Sequence, residues 1–224
     1  MTVWHTTVVT LAPAAQASAG PAAAGPAAGT QVRAALEASA AGAAGLLESW
    51  VRPTLPGVVR GGDLIRHLGF EDEDAVARWR ASSAYAAPRA ALTGAAVSAC
   101  ASATYGPGRA GARALPGSGA VFRALLLRAE ADERTLARFE DELFAMGEVI
   151  PVMRRWRLSR LLACEGPVPW THVWEQVFPE PDALRLAYMR HPYHWGQVDR
   201  WFDGESPDRI VTIDFCHTFC LLAS

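Results

Sequence analysis

Lysine is absent from the 224-residue sequence, where arginine alone supplies the 21 basic side chains. These are balanced by 23 acidic residues, so the formal net charge is only −2. A chain so close to neutral lacks the broad basic field by which nucleic-acid-binding proteins hold phosphates. The arginines between residues 154 and 160 form a local exception, more typical of a solvated strand edge. We therefore predict no nucleic-acid partner.

Hydrophobic runs and cysteines are also scarce. The first residues, MTVWHTTVVTL, lack a basic segment, and their apolar run is too short and too polar to span a membrane. The four cysteines, Cys100, Cys164, Cys216 and Cys220, show no disulfide-dense spacing. We therefore expect no signal peptide, no membrane contact and a reducing, cytoplasmic location.

Large apolar side chains are missing from two tracts rich in alanine, glycine and proline. The first runs from Ala12 to Gly29 and is predicted to be a mobile loop, because ordering it would bury little surface. The second runs from Gly106 to Gly119 and has the composition of a linker. The linker predicts two domains, residues 1–108 and 118–224.

The segments outside these tracts follow the same order on both sides of the linker. In the first half, strands are predicted at Val3–Leu11, 61–70 and Ala95–Tyr105, with helices at Gln31–Trp50 and 71–92. In the second half, strands are predicted at Ala120–Arg128, Val149–Leu162, Thr171–Phe178 and Arg209–Phe219, with helices at Glu130–Gly147 and from Leu184 to Trp195. The first half is shorter between Pro56 and Phe70 than the second half is between Pro151 and Phe178, so its middle hairpin is predicted to be clipped.

A sequence offset of 108 relates the halves. Phe70 and Tyr85 correspond to Phe178 and Tyr193 at that spacing. Each half then follows the β-α-β-β-α-β order of ferredoxin-like folds, which leaves one sheet face uncovered. The sequence predicts an α+β fold in which tandem ferredoxin-like repeats form one intramolecular α+β barrel. The chain would then be a monomeric pseudo-dimer, or would pair further as a homodimer.

The stretch from Trp170 to Asp203 carries three of the six histidines. His172 lies on a predicted strand, and His191 and His194 lie at or after the end of the next helix. On the strand, His172 shares a face with Trp174, whereas Glu175 points to the opposite face. A strand histidine is more often a hydrogen-bonded core residue, and the other two could cap the helix end. Both interpretations stay open on the residues alone.

Metal binding is a weaker interpretation. One set of possible ligands combines the three histidines of this stretch with Glu175, and another combines Cys216, His217 and Cys220. In a strand, Cys216 and Cys220 share one face and His217 takes the other, which is poor geometry for chelation. We predict no metal and no cofactor.

Several motifs resemble one protein family. They are VIPVM at Val149, THVWEQVF at Thr171 and YMRHPYH at Tyr188, together with WHTTVVTL near the start. The combination resembles the Dabb family of stress-responsive dimeric α+β barrel proteins, and the second half resembles its olivetolic acid cyclase-type polyketide cyclases. The resemblance implies catalytic roles for His172, His194 and Tyr188. In the first half, Leu64, Arg80 and Ala86 stand at the matching positions.

The implied activity is a cofactor-independent, aldol-type cyclase acting on a polyketide or related β-dicarbonyl compound in natural-product biosynthesis. One histidine would remove an acidic proton, and a second donor would stabilise the enolate. The substrate-binding walls are predicted from Trp174, Tyr193, Trp195 and His191. The alternative is a non-catalytic Dabb stress-response protein that binds a small hydrophobic ligand.

Overall fold

Nine antiparallel strands form the framework of the part of the protein that the structure describes. The computed structural model describes residues 1–13, 28–56, 59–116 and 120–222. The strands in these ranges are β1 (Val3–Leu11), β2 (Leu46–Pro53), β3 (Leu64–Phe70), β4 (Val97–Tyr105), β5 (Arg109–Ala112), β6 (Val121–Leu127), β7 (Arg155–Glu165), β8 (His172–Phe178) and β9 (Cys216–Leu221).

Helices cover the outer faces of the sheet. They are α1 (Ala28–Ala38), α2 (Glu73–Arg80), α3 (Ser83–Ala86), α4 (Arg89–Leu92) and α5 (Glu133–Val149), followed by π-helical segments at Ala183–Tyr188 and His194–Val198 and a 3-10 turn at Asp199–Trp201. Capping fixes where the two longer acid-started helices begin. Asp72 accepts a hydrogen bond from the Ala75 N–H at 2.8 Å, and Asp132 accepts one from the Thr135 N–H at 3.0 Å.

The strand order is β2-β3-β1-β4-β7-β8-β6-β9, with β5 paired to the edge of β7. The first four strands thus repeat the arrangement of the last four, and β4 joins the two groups by pairing with β7. At the opposite end the sheet returns on itself. Thr54 forms a bridge with Cys220, and the Leu55 N–H donates to the Phe219 carbonyl at 2.7 Å. This confirms the predicted α+β barrel built from ferredoxin-like strand orders.

The alternation of side chains along the strands divides the interior into separate cores. Inside the barrel, Ile65, Phe122, Val173 and Cys220 belong to one buried cluster. Outside it, α5 and the π-helical segments pack on the second group of strands through a cluster that contains Phe139. The first group of strands has its own outer clusters, beneath α1 and α2. The barrel interior and the two helix-covered faces are therefore distinct places for a site.

Three segment predictions need correction. The helix predicted over Gln31–Trp50 ends at Ala38, because Gly42 and Gly45 adopt φ values of +73° and +78° that stop it, and β2 follows. The middle hairpin of the first half, predicted to be clipped, is therefore present, with β2 paired to β3 along its length. The predicted linker contains β5, which pairs with β7 from Arg155 to Leu158. Residues 14–27 of the alanine-rich tract lie outside the described residues, and the division into two domains stays a prediction.

No helix in the described part of the chain is long and apolar enough to cross a membrane.

Candidate functional site

A cavity of about 380 Å³ lies in the barrel and takes its wall from both groups of strands. We refer to it as the barrel cavity; its wall includes Trp50, His67, Phe122, Trp156, Arg157 and Glu175. Its volume is within the range of small-molecule sites. The exposed side chains of Glu48 and Arg155 also belong to the wall, so the cavity reaches the surface beside them.

Glu175 is the buried acid of the barrel cavity, with only 3% of its surface exposed. Arg157 donates from Nε to Glu175 Oε2 at 2.6 Å, and the Tyr105 hydroxyl donates to Oε1 in a short hydrogen bond. The guanidinium of Arg157 lies over the ring of Trp4, 3.4 Å from its centroid. A buried carboxylate needs such a paired and hydrogen-bonded setting to stay charged.

A chain of hydroxyl groups links this carboxylate to His67. The Thr6 hydroxyl lies 2.7 Å from the Tyr105 hydroxyl and 2.9 Å from Nδ1 of His67. Because a carboxylate only accepts, Tyr105 donates to Glu175, Thr6 donates to Tyr105, and the proton of His67 belongs on Nδ1. Nε2, which makes no hydrogen bond within the described ranges, is then left with its lone pair. The arrangement therefore presents a neutral imidazole as a base.

Burial sets the protonation of the groups in this chain. It lowers the pKa of His67 below the ordinary value of 6.5, although the negative charge of Glu175 acts in the opposite direction. It raises the pKa of Tyr105 well above its ordinary value, and Glu175 adds to that effect. At neutral pH His67 is therefore uncharged and Tyr105 keeps its proton, as the direction of the hydrogen bonds requires.

Aromatic rings hold His67 in place. The Trp50 ring stacks on it with centroids 4.9 Å apart, and the Phe122 ring lies 5.2 Å away at a tilt. Such contacts fix the imidazole and give the barrel cavity an apolar wall beside its base. The site thus combines a positioned base with a surface suited to an aromatic or poly-carbonyl molecule.

His172, a predicted catalytic residue, lies outside the barrel cavity on the face covered by α5. Nε2 is 2.9 Å from the Glu140 carboxylate and Nδ1 is 2.7 Å from the Thr171 hydroxyl, so both ring nitrogens are engaged. Burial lowers the pKa of His172, with Glu140 acting in the opposite direction. The ring meets Phe139 edge-on, with centroids 5.8 Å apart. This is the geometry of a hydrogen-bonded core histidine.

Tyr188 and His194, the other predicted catalytic residues, contact each other, with ring centroids 4.8 Å apart. The Tyr188 hydroxyl accepts a hydrogen bond from Arg123 at 3.0 Å. A carboxylate oxygen of Asp199 lies 3.2 Å from Nδ1 of His194 without hydrogen-bond alignment. His172 takes part in none of these contacts. The structure thus brings together two of the three residues.

The predicted substrate-binding residues are spread over different surroundings. Trp174 is fully buried in the helix-covered core, whereas Trp195 is 61% exposed. The Tyr193 hydroxyl donates to the Glu142 carbonyl at 3.1 Å, and its backbone N–H donates to Nδ1 of His191 at 3.2 Å. None of these four residues lines the barrel cavity. The roles assigned to them from the sequence stay predictions.

Sequence reasoning missed His67, Tyr105 and Arg157. One signal was nevertheless present, because the offset of 108 makes His67 of β3 and Glu175 of β8 equivalent positions in the two halves. The alternation of β8 had also separated Glu175 from His172, which the structure confirms. Tyr105 and Arg157 carry no comparable signal, because their contacts depend on how the two groups of strands close into a barrel.

Metal-binding geometry is absent from the described ranges, where no three His, Cys, Asp or Glu side chains are grouped closely enough to hold an ion. Cys216 and Cys220 belong to the barrel core, and His217 instead accepts a hydrogen bond from Arg123 Nε at 2.5 Å on the other face.

Comparison with known proteins supports the fold. The chain shares 11% identity with an anthrone oxidase-like protein of known structure, with a TM-score of 0.68 over 100% of this chain and 91% of that one. A monooxygenase-like protein from Lactobacillus acidophilus, also at 11% identity, gives a TM-score of 0.54 over 98% of this chain and 92% of that one. A Dabb family protein with a ferredoxin-like fold from Mesorhizobium loti, at 15% identity, covers 48% of this chain and is itself covered completely, with a TM-score of 0.37.

At these identities the first two structures show a shared fold and leave activity open. No curated protein matches the sequence. The sequence does match a family model, the stress responsive A/B barrel domain, from residue 123 to residue 216. That range contains most of β6 and extends through β7 and β8 to the first residue of β9. Residues 123–216 are a stress responsive A/B barrel (Dabb) domain.

Proposed function

We propose that the protein is a cofactor-independent enzyme that closes a ring in a small polyketide or related β-dicarbonyl compound by aldol-type addition. The observation that carries this proposal is the directed hydrogen-bond chain from Glu175 through Tyr105 and Thr6 to His67 in the wall of the barrel cavity. Chemistry of this kind needs a base that is uncharged near neutral pH and a cavity that shapes a flexible chain.

In the proposed step, Nε2 of His67 takes the proton from the carbon between two carbonyl groups. The electron pair of that C–H bond forms an enolate, whose carbon attacks a second carbonyl of the same molecule and makes the new C–C bond. The resulting alkoxide takes a proton back from Nε2, so the enzyme is regenerated and no external oxidant or reductant is consumed. Any later loss of water belongs to the product.

Glu175 has an electrostatic role in this scheme. When His67 is transiently cationic, the nearest carboxylate oxygen is 3.5 Å from its Nδ1 and stabilises the charge. Arg157 lies in the same wall of the cavity. Its guanidinium is the donor available to the enolate oxygen.

A second candidate is oxygenation of the same carbanion. It is favoured by the fold shared over the whole chain with an anthrone oxidase-like protein. Both candidates begin with proton removal and differ in what the carbanion meets next, an internal carbonyl or dioxygen. The non-catalytic binding protein remains the alternative in which no proton is removed.

The deciding experiment follows a linear triketone in D₂O by NMR, with mass spectrometry of products and an oxygen electrode in parallel. We expect the protein to accelerate both α-deuteration and ring closure, and His67→Asn to abolish the acceleration. Oxygen uptake that matches substrate loss would establish the oxygenase. Deuteration at the rate of buffer alone would remove both enzymatic candidates.

A further inference from the structure

A second cavity, of about 190 Å³, lies between the first group of strands and the helices that cover it. We refer to it as the helix-face cavity. His5, Thr7, Arg66 and Ser102 contribute to its wall from β1, β3 and β4, and Tyr85 and Leu92 contribute from α3 and α4. It is separate from the barrel cavity, because side chains at these positions of the strands point away from the barrel interior.

Arg66 is the unusual group in this cavity, with only 2% of its surface exposed. Its guanidinium donates to the hydroxyl of Thr7 at 2.9 Å and to that of Ser39 in a short hydrogen bond. Nε is buried and makes no hydrogen bond in the described part of the chain. A buried cation in this state is unfavourable unless an anion accompanies it.

No aspartate or glutamate serves as that anion. Every aspartate and glutamate lies within the described ranges, and none of them is within ion-pair distance of Arg66. Glu165 also lines the helix-face cavity, but it is paired with Arg80 at 2.7 Å and Arg89 at 3.3 Å. The Tyr85 hydroxyl donates to it at 2.9 Å. The three arginines therefore outweigh the one acid.

His5 lies in the same positive field. Burial, followed by the positive charges of Arg66 and Arg80, lowers its pKa well below the ordinary value of 6.5. His5 is therefore neutral at pH 7 and adds no charge, while its ring nitrogens contact the hydroxyls of Thr104 at 2.9 Å and Thr7 at 3.3 Å. The wall near Arg66 consequently offers hydrogen-bonding groups together with a net positive charge.

Arg123 provides a contrast within the same molecule. It is also buried, on the matching face of the second group of strands, and has no carboxylate within ion-pair distance among the described residues. Its donors are nevertheless taken by Gln176, by His217 at 2.5 Å and by the Tyr188 hydroxyl at 3.0 Å. Arg66 differs because its Nε–H makes no hydrogen bond in the described part of the chain and because it lines the helix-face cavity.

We propose that the helix-face cavity binds the carboxylate of a small organic acid, with Arg66 as its counter-ion. The planar guanidinium matches a carboxylate in geometry, and the hydroxyls of Thr7 and Ser102 can donate to the same group. Tyr85 and Leu92 would contact the apolar part of the acid. The cavity is smaller than most cofactor sites, so the ligand is a compact acid of about the size of benzoate. The inference does not depend on the barrel reaction.

Titration calorimetry of the full chain with benzoate and with its neutral analogue benzamide tests the proposal. We expect saturable binding of benzoate and no binding of benzamide. Arg66→Gln should weaken benzoate binding by about 10- to 100-fold, the value of a charged hydrogen-bonded contact. Arg66→Lys, which keeps the charge without the planar fork, should weaken it by less and serves if the glutamine variant does not fold.

Two control variants locate the site. Arg123→Gln removes the other buried arginine that has no carboxylate partner, and His67→Asn alters the barrel cavity. Both variants should keep the wild-type affinity for benzoate. Equal binding of benzoate and benzamide, an affinity unaffected by Arg66→Gln, or an affinity lost in His67→Asn would each overturn the proposal. So would the absence of saturable binding.

Discussion

His67 and Glu175 occupy the same place in two strands 108 positions apart, and their side chains meet inside the barrel with Nδ1 3.5 Å from Oε1. The barrel closes so that β3 and β8 present equivalent positions to one interior. A base from one group of strands and an acid from the other therefore share one site. Neither group alone contains the pair, which explains why a site sought within the second half alone did not include His67.

Tyr105→Phe should lower turnover by about 10- to 100-fold, because it removes the hydroxyl that links Thr6 to Glu175 and so fixes the proton on Nδ1 of His67. Loss of the base in His67→Asn should cost more, about 10²- to 10⁴-fold. Steady-state kinetics with the cyclisation substrate measures both variants.

Tyr193→Phe is the matched control for that measurement. Its hydroxyl donates to the Glu142 carbonyl, but Tyr193 lies outside the barrel cavity. Turnover should stay at the wild-type value. A loss equal to that of Tyr105→Phe would place the chemistry near Tyr193, as the sequence predicted.

The dependence of turnover on pH should report the titration of His67. The neutral imidazole is the active form, and burial lowers its pKa below 6.5. Activity should therefore be constant at neutral pH and fall only as the pH drops through that lowered pKa. An inflection above pH 7 would contradict the assignment. The measurement is kcat/KM of a non-ionising substrate between pH 4.5 and 8.

Stability should fall on acidification for a related reason. Burial lowers the pKa of His5, and burial together with Arg123 lowers that of His217 to about 2. Below about pH 6.5 the unfolded chain binds protons that the folded chain does not. Each such histidine thus contributes stability that is present above pH 6.5 and lost toward the folded-state pKa, at up to about 1.4 kcal/mol per pH unit. Urea unfolding at pH 7.5 and 5.5 tests this, and His217→Gln should reduce the difference.

His172→Ala should act mainly on stability. The imidazole is buried with both nitrogens engaged, so its loss should reduce the free energy of unfolding by about 1–3 kcal/mol. Leu64 lies at the matching position in β3, and Leu64→Ala should reduce the free energy of unfolding by about 2–5 kcal/mol. Turnover per folded molecule should be kept in both variants, measured after urea titrations establish the folded fraction.

The catalytic role that the sequence resemblance implies for His172 predicts the opposite, namely lost activity with little change in stability. A large fall in the turnover of folded His172→Ala or His194→Ala would therefore show that the active site lies on the face beneath α5 and not in the barrel cavity. The two outcomes are distinguishable because each variant is assayed at a known folded fraction.

The fold was predictable to the extent that it depends on local patterns. Alternation located β1, β3 and β8, and capping acids marked α2 and α5, because these signals lie within a few residues of the element. The sequence did not predict β2, because LLESWVRP follows an alanine-rich helix without a proline between them. Gly42 and Gly45, which end that helix, were the only local signal of the boundary. The site was harder, since His67, Thr6, Tyr105 and Glu175 come from four strands and meet only after the barrel closes.

A last prediction concerns Gly147, in the final turn of α5, where the indole of Trp156 lies directly against the glycine. A methyl group at Gly147 would overlap with the indole ring of Trp156. Gly147→Ala should therefore lower the free energy of unfolding by about 1–3 kcal/mol, although alanine has the better helix propensity. Gly196 is the control, because nothing lies within 4 Å of an added Cβ there. Gly196→Ala should be neutral or slightly stabilising. An unchanged stability would show that the ring can move aside freely.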